Sequence, residues 1–363
     1  MMKRIVLACT VLSMLLSLAL TGCGDGKDGG GSESKWNSIV YVCSNLGDKS
    51  FCDVSWKGVQ DGAEDNDIGT VKCIEFGRDT KSKMEPTMVD AADAYDLIVS
   101  SGGEMLEIVE KIWEDYPQKR FIMFDIDPLY ENKMTNVFCI NFRQNEGDFL
   151  AGALAEKISK TGTIGYVGSM EAVVIQDFMV GYIAGAVYAD PNAKVAVSYI
   201  GNSQDSPKAK ELAGIQINVN NADVLHQVAG AAGLGLFQAC LENGKKWAIG
   251  VDADQRNYFL ETDPELADVI LTSMEKRTNV AVREAINKTY AGKLAYGTLE
   301  KWGVAKKVTV LAENDFYKEH VPAEVQAYID DLEEKVAAGK IEIDSAYGMD
   351  TETYNALRNS VKP

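Results

Sequence analysis

The sequence predicts an α/β protein of two lobes, each built on a parallel sheet, and three observations predict it. Short apolar, β-branched runs alternate with helix-period stretches through nearly the whole body of the chain, which is the pattern of βαβ units with buried strands. Eleven strand candidates emerge, too many for one comfortable doubly wound sheet and natural for two. A unit also repeats. Leu97-Ile-Val-Ser-Ser-Gly-Gly and Val224-Leu-His-Gln-Val-Ala-Gly each end a strand on glycine before a helix. Each is followed by a lysine-bearing turn and a further strand that closes on an aspartate, Asp125 in one case and Asp252 in the other.

Taken from the N-terminus, Lys3 and Arg4 precede a mostly apolar run from Ile5 to Leu20, short for a membrane span and stopped by Thr21-Gly22-Cys23. Small residues directly before a cysteine are the pattern of a bacterial lipoprotein signal. Residues 1–22 are therefore expected to be cleaved, leaving Cys23 lipidated and the protein anchored to the cell membrane on its extracytoplasmic face. Residues 23–37 are Gly-rich and polar and read as a flexible tether. The strand candidates then follow as Ser38–Asn45, Val71–Gly77, Leu97–Ser101, Phe121–Asp125, Val137–Phe142, Thr163–Gly168, Lys194–Ile200, Asp223–Val228, Trp247–Asp252, Val269–Ser273 and Val308–Ala312. Helical periodicity marks Ser55–Asn66, Glu104–Tyr116, Asp148–Ser159, Ile175–Ala189 and Asn279–Tyr290, and the charged stretch Glu324–Lys340 reads as a surface helix. The first lobe is expected over 38–144 plus 253–292, and the second over 145–252 plus 293–363.

Composition excludes several function classes. A formal charge of −18 repels phosphate backbones, so nucleic acid is not an expected partner. The five cysteines after Cys23, at 43, 52, 73, 139 and 240, are odd in number and scattered, unlike a disulfide framework. Cys43, Cys73 and Cys139 sit in apolar runs, where cysteine acts as a small hydrophobe. No CxxC or Cys/His cluster occurs, so no metal is expected. The two histidines, His226 at a strand end and His320 in a charged stretch, have no neighbouring nucleophile at motif spacing, which argues against a Ser-His-Asp hydrolase. The Gly230-Ala-Ala-Gly-Leu-Gly stretch has the wrong spacing for a dinucleotide loop and there is no P-loop. Neither a cofactor nor catalysis is expected, and the protein is expected as a monomer.

Ligands of open α/β sheets sit outside the carboxyl ends of the strands. Two facing lobes would thus aim Asp125 and Asp252 into one cleft; the alternative is that each caps a following turn. In the loop after the first strand, Asp48 and Ser50 stand at a helix N-terminus, suited either to oriented hydrogen bonding or to plain N-capping. Phe51 follows a turn and precedes the helix, as a staple or as the flat wall of a site. Phe178 opens a helix whose Gly181 and Gly185 form a small-residue face suited to close packing against a strand. A carboxylate beside a lysine, as Asp252 and Lys276 allow, makes a clamp for vicinal hydroxyls, with an ordinary ion pair as the alternative.

Seven segments in this order, Asp48-Lys-Ser-Phe51, Glu146-Gly-Asp-Phe-Leu-Ala-Gly, Ile164-Gly-Tyr-Val-Gly, Phe178-Met-Val-Gly-Tyr, Ala229-Gly-Ala-Ala-Gly-Leu-Gly, Ile249-Gly-Val-Asp-Ala-Asp-Gln and Leu271-Thr-Ser-Met-Glu-Lys276, carry a resemblance. The chain resembles the basic membrane protein family of lipoproteins, which includes nucleoside receptors of ABC transporters. The resemblance implies a type I periplasmic-binding-protein fold, two Rossmann-like lobes joined by three crossovers. It implies a purine nucleoside of the adenosine, guanosine or inosine class as ligand and an ABC permease as partner. By position it implies Phe51 and Phe178 sandwiching the base, Asp125 contacting it, Asp252 and Lys276 holding the ribose hydroxyls, and the Gly230 loop walling the sugar. Asp48 and Ser50 match the polar start of the pocket loop. Cys52 stands where the family usually has Asn, and a thiol donates and accepts poorly at a base edge. A sugar or other metabolite receptor or sensor of the same fold, or a nucleoside-cleaving enzyme, are the competing expectations.

Overall fold

The computed structural model describes residues 36–77 and 80–363; the expected signal peptide, Cys23 and nearly all of the expected tether lie outside the described residues. The chain runs β1 (Ser38–Cys43), α1 (Phe51–Asp65), β2 (Thr70–Glu75), α2 (Lys81–Ala94), β3 (Leu97–Ser101), α3 (Gly103–Ile112), β4 (Arg120–Phe124) and β5 (Val137–Phe142). It continues through α4 (Gln144–Ile158), β6 (Thr163–Gly168), α5 (Val173–Ala189), β7 (Lys194–Tyr199), α6 (Ser206–Asn218), β8 (Val224–Val228), α7 (Leu234–Glu242), β9 (Trp247–Val251), α8 (Pro264–Ala267) and β10 (Ile270–Lys276). It closes with α9 (Thr278–Tyr290), β11 (Leu299–Trp302), β12 (Thr309–Leu311), α10 (Asp315–His320), α11 (Ala323–Ala337) and α12 (Thr351–Ser360).

Two six-stranded sheets result, ordered β11-β5-β4-β3-β1-β2 and β12-β10-β9-β8-β6-β7. Every pairing is parallel except β10 with β12. Shifting the first order by five strands reproduces the second, so the repeat seen in the sequence is a duplicated five-stranded unit with one added edge strand on each copy. Both sheets are covered on both faces. Ile39 and Tyr41 of β1 enter one core and Val40 and Val42 the other, as the two-residue period of a strand demands.

The chain passes between the lobes three times: from β5 into α4, from β10 into α9, and from β11 to β12. This is the crossover number expected, but the boundaries differ from the expected ones. Ile270–Lys276 pairs with β9 in the second sheet, so residues 253–276 stay in lobe 2. The return to lobe 1 is α9 with β11, not 253–292. Helix α9 packs there because Gly58 and Gly62 of α1 let it approach: a Cβ at 58 would lie 2.6 Å from the Asn279 backbone. β11 escaped the sequence reading because Leu-Glu-Lys-Trp is a four-residue charged edge strand with no apolar run.

Two further differences concern helices and a histidine. Gly181 and Gly185 of α5 pack against helix α4 and not against a strand; a Cβ at Gly185 would fall 1.9 Å from the Phe149 carbonyl oxygen. His226 lies inside β8 rather than at its end, fully buried, with Nε2 3.1 Å from Asp148 Oδ1 and Nδ1 3.1 Å from the Ile249 carbonyl. Its role there is structural. Helix α11 buries Val325, Ile329, Leu332 and Val336, one stripe at helical spacing, while its charged face remains outside.

Candidate ligand site

The carboxyl ends of the strands in both sheets meet around a cavity of about 220 Å³. Lobe 1 contributes Ser44, Asp48, Phe51, Cys52 and Asp125; lobe 2 contributes Phe178, Gly230, Asp252 and Lys276, together with Ser169, Val174, Ile175, Ser203, Val228, Ala229 and Val251. All the residues expected from sequence line it except Ser50, which is buried behind the wall and donates its hydroxyl to the Asp252 carboxylate.

Asp125 and Asp252 are equivalent in the duplicated unit, and their backbones are equivalent too. Each leaves its strand in the left-handed region, φ +61° and +67°, a conformation that short polar residues tolerate better than branched ones. The turn swings each carboxylate off the sheet end toward the other lobe. Asp48 performs the capping: its carboxylate accepts from the backbone N–H of Ser50 at 3.0 Å, Cys52 at 2.9 Å and Asp53 at 3.2 Å. Ser50 makes no side-chain cap bond to α1, which frees it for Asp252.

Phe51 lies against Phe124 with ring centroids 5.6 Å apart and planes inclined 37°. Phe124 is itself braced by Tyr41 and Phe142. Phe178 is 3% exposed and is held from the preceding residue. Asp177 accepts from Gln144 Nε2 at 2.6 Å, Ser345 Oγ at 2.6 Å and the Ala346 N–H at 2.9 Å. The Lys276 ammonium sits 5.3 Å from the centroids of both Phe51 and Phe178 and 5.2 Å from Phe142, so two rings from opposite lobes flank one space. Its ion-pair partner is Asp125. Across the cleft Lys276 pairs with Asp125, and Asp252 with Ser50, while Asp252 and Lys276 both line the cavity.

Charge sets what the cavity tolerates. Burial raises the Asp252 carboxyl to about 6, with Lys276 and the Ser50 hydroxyl pulling the other way. Burial also raises Asp177 to about 6 against its hydrogen bonds, and raises Asp48 against three backbone donors. Three carboxylates and one ammonium line the cavity, an arrangement that accepts hydrogen bonds from hydroxyls and repels phosphate. Among the described residues no group of three or more His, Cys, Asp and Glu is placed to hold a metal ion, and no helix is long and apolar enough to cross a membrane.

Sequence reasoning passed over Ser169 and Ser203, which follow β6 and β7 and were available from the strand-end rule alone. It also passed over Asp177, Lys49 and Gln255, whose importance depends on partners distant in the chain.

Comparison with known proteins agrees with this architecture. Residues 36–346 match the family described as Bmp, ABC transporter substrate-binding protein PnrA-like. The chain is 29% identical over 352 residues to a CD4+ T-cell-stimulating antigen of Listeria innocua, covering 92% of this chain and 96% of that one. It is 26% identical over 351 residues to the ABC transporter nucleoside-binding protein BmpA of Lactococcus lactis, covering 92% and 99%. It is 29% identical over 345 residues to basic membrane protein A of Borreliella burgdorferi, covering 92% and 95%. In structure it is similar to an ABC transporter solute-binding protein of Aeropyrum pernix, with a TM-score of 0.75 at 23% identity, covering 89% and 98%, which places the fold among two-lobed solute-binding proteins. The chain belongs to the Bmp family of PnrA-like ABC transporter substrate-binding proteins.

Proposed function

We propose that this substrate-binding protein captures a purine nucleoside between its lobes and releases it to the permease of an ABC importer, while Cys23 and its lipid hold it at the outer face of the cell membrane. One observation carries the reading: Phe51 and Phe178, from opposite lobes, flank the position of a single ammonium at equal distance. Aromatic rings from both lobes on one cavity suit a flat heterocycle, each stacked face contributing about 1–3 kcal/mol. Asp125, Asp252 and Lys276 supply acceptors and a donor for ribose hydroxyls and base edge, and Asp48 and the Gly230 loop complete the wall. The acidic lining favours the uncharged nucleoside over its phosphates. Bound ligand touching both lobes stabilises the closed form, and no bond is made or broken.

Cys52 lines the cavity beside Ser44, sulfur to hydroxyl 3.6 Å. A thiol there gives a base edge little hydrogen bonding, so discrimination among adenosine, guanosine and inosine is expected to be weak at this wall. Titration calorimetry with the three nucleosides tests the proposal; absence of binding heat with all of them at millimolar concentration refutes it. For the anchor, palmitate labelling of the expressed full chain and of Cys23→Ser decides.

A further inference from the structure

We infer that Lys49 and Gln255 form a clasp that holds the lobes closed over the site, with Gln255 a positioning residue for closure and not a ligand contact. Gln255 follows β9 and is fully buried. Three bonds tie it into lobe 2. Its Oε1 accepts from the Val251 N–H at 3.0 Å and from Gln227 Nε2 at 2.6 Å, and its own N–H donates to Ser273 Oγ at 3.1 Å. The side-chain amide is thus fixed before lobe 1 arrives, and its Nε2 donates across the cleft to the Lys49 carbonyl at 3.1 Å.

Lobe 2 is shaped to admit this glutamine pair. A Cβ at Gly250 would lie 2.7 Å from Gln255 Oε1, and one at Gly233 would lie 1.7 Å from Gln227 Oε1. Gln227 Oε1 in turn accepts from the Ala229 N–H at 3.0 Å, beside Gly230 in the cavity wall. On the other side Lys49 adopts φ +52° and its N–H is held by Asp53 Oδ2 at 2.8 Å. Its ammonium lies 5.1 Å and 5.7 Å from the ring centroids of Tyr258 and Phe259, which belong to lobe 2. Lys49 is therefore gripped at its carbonyl and at its ammonium by one short segment, and the next two residues are Ser50 and Phe51.

Neither Lys49 nor Gln255 lines the cavity. Opening must break the amide–carbonyl bond and the cation–π contact, both of which join protein to protein. The clasp therefore biases the closed state whatever occupies the site, and a ligand that needs closure for tight binding leaves more slowly because of it. Only the choice of ligand in the test rests on the nucleoside reading.

The test uses the mature chain with Lys49→Ala, which removes the ammonium and leaves the carbonyl, and Gln255→Glu, which keeps the shape and removes the donor. Stopped-flow fluorescence with inosine is expected to show dissociation about three- to tenfold faster in each variant, the loss of one net hydrogen bond or cation–π contact. Association should change less than twofold. Small-angle scattering without added ligand should shift toward the open form in both. Should Gln255→Glu fail to fold, Lys49→Ala decides alone, since that side chain is only half-buried. Wild-type dissociation rates and unchanged scattering in folded variants overturn the clasp. A scattering shift in a protein that binds none of inosine, adenosine and guanosine sustains the clasp and rejects the nucleoside reading instead.

Discussion

Removing the Phe51 ring is the cleanest test of the site, because the two aromatic walls differ in what else they do. Phe178 is almost wholly buried in the lobe 2 core, so Phe178→Ala would lose about 3–5 kcal/mol of folding stability and confuse folding with binding. Phe51 is half-buried and rests on Phe124. Truncating it exposes part of Phe124 and costs about 1–2 kcal/mol of stability by area. Its contribution to a bound purine is one stacked face, about 1–3 kcal/mol, together with part of the aromatic surround of Lys276 at 5.3 Å. Phe51→Ala should therefore weaken inosine binding about 5- to 150-fold while lowering the melting temperature by only a few degrees. Phe51→Tyr keeps the π-face and should bind within about threefold of wild type, whereas Phe51→Leu keeps apolar area without the face and should resemble the alanine variant. Calorimetric titration and thermal unfolding of the three proteins measure both quantities. If Phe51→Ala and Phe51→Leu bind as tightly as the wild type, the ring is not a ligand wall and the stacking argument fails.

Four further outcomes follow from the same geometry. With Asp252 raised to about 6 by burial, ligand hydroxyls find an ionised acceptor only above that pH; inosine affinity should fall as pH drops from 7 to 5, and Asp252→Asn should abolish that slope in calorimetry across the range. The sign for stability is opposite: the folded carboxyl keeps its proton to higher pH than the unfolded one near 3.9, so stability falls as pH rises from about 4 to 6. Asp177, also raised to about 6, adds to this fall, so Asp252→Asn should lessen it in melting curves without removing it. Gly185→Ala drives a Cβ against the Phe149 carbonyl at 1.9 Å; prising α4 from α5 should cost about 2–4 kcal/mol in urea unfolding, with nucleoside affinity per folded molecule little changed. His226→Leu strands the buried Asp148 carboxylate and should destabilise by about 3 kcal/mol, and Asp148→Asn with His226→Gln together should recover part of that loss.

Much of this was legible from local pattern. Alternation of buried strands with helices reports sheet and topology because each signal lies within ten or so residues. The strand-end rule placed Asp125 and Asp252 in the cavity without any partner being known. The crossover boundaries were less legible, because β11 has no apolar run to mark it and the deciding fact is which sheet each strand hydrogen-bonds to. The steric reason lies in Gly58 and Gly62 receiving α9 at Asn279 and Ile286, a contact between segments far apart in the chain. The ion pairing was least legible. One lysine among three carboxylates has several low-energy partners, and which it takes depends on rotamers across a cleft, as the Lys276–Asp125 and Ser50–Asp252 pairs demonstrate.

The duplication bears on how an acidic cleft accommodates two equivalent aspartates. Each copy of the five-stranded unit ends its fourth strand on a left-handed aspartate, so joining two copies face to face would bring like charges together at the cleft. The copies escape that repulsion by diverging in what each brings opposite its partner's aspartate. Lobe 2 supplies Lys276, from the end of its fifth strand, to Asp125; lobe 1 supplies Ser50, a neutral donor, to Asp252. By strand register the lobe 1 equivalent of Lys276 is Phe142 at the end of β5, a buried aromatic that brings no charge to Asp252. One aspartate is therefore neutralised by an ion pair, and the other keeps a raised affinity for protons and, by the same physics, for hydroxyl donors. The asymmetry between two otherwise equivalent aspartates gives the cleft an orientation: an ion pair stands on the lobe 1 aspartate and a hydroxyl donor on the lobe 2 aspartate, so the two ends of a ligand would meet different partners.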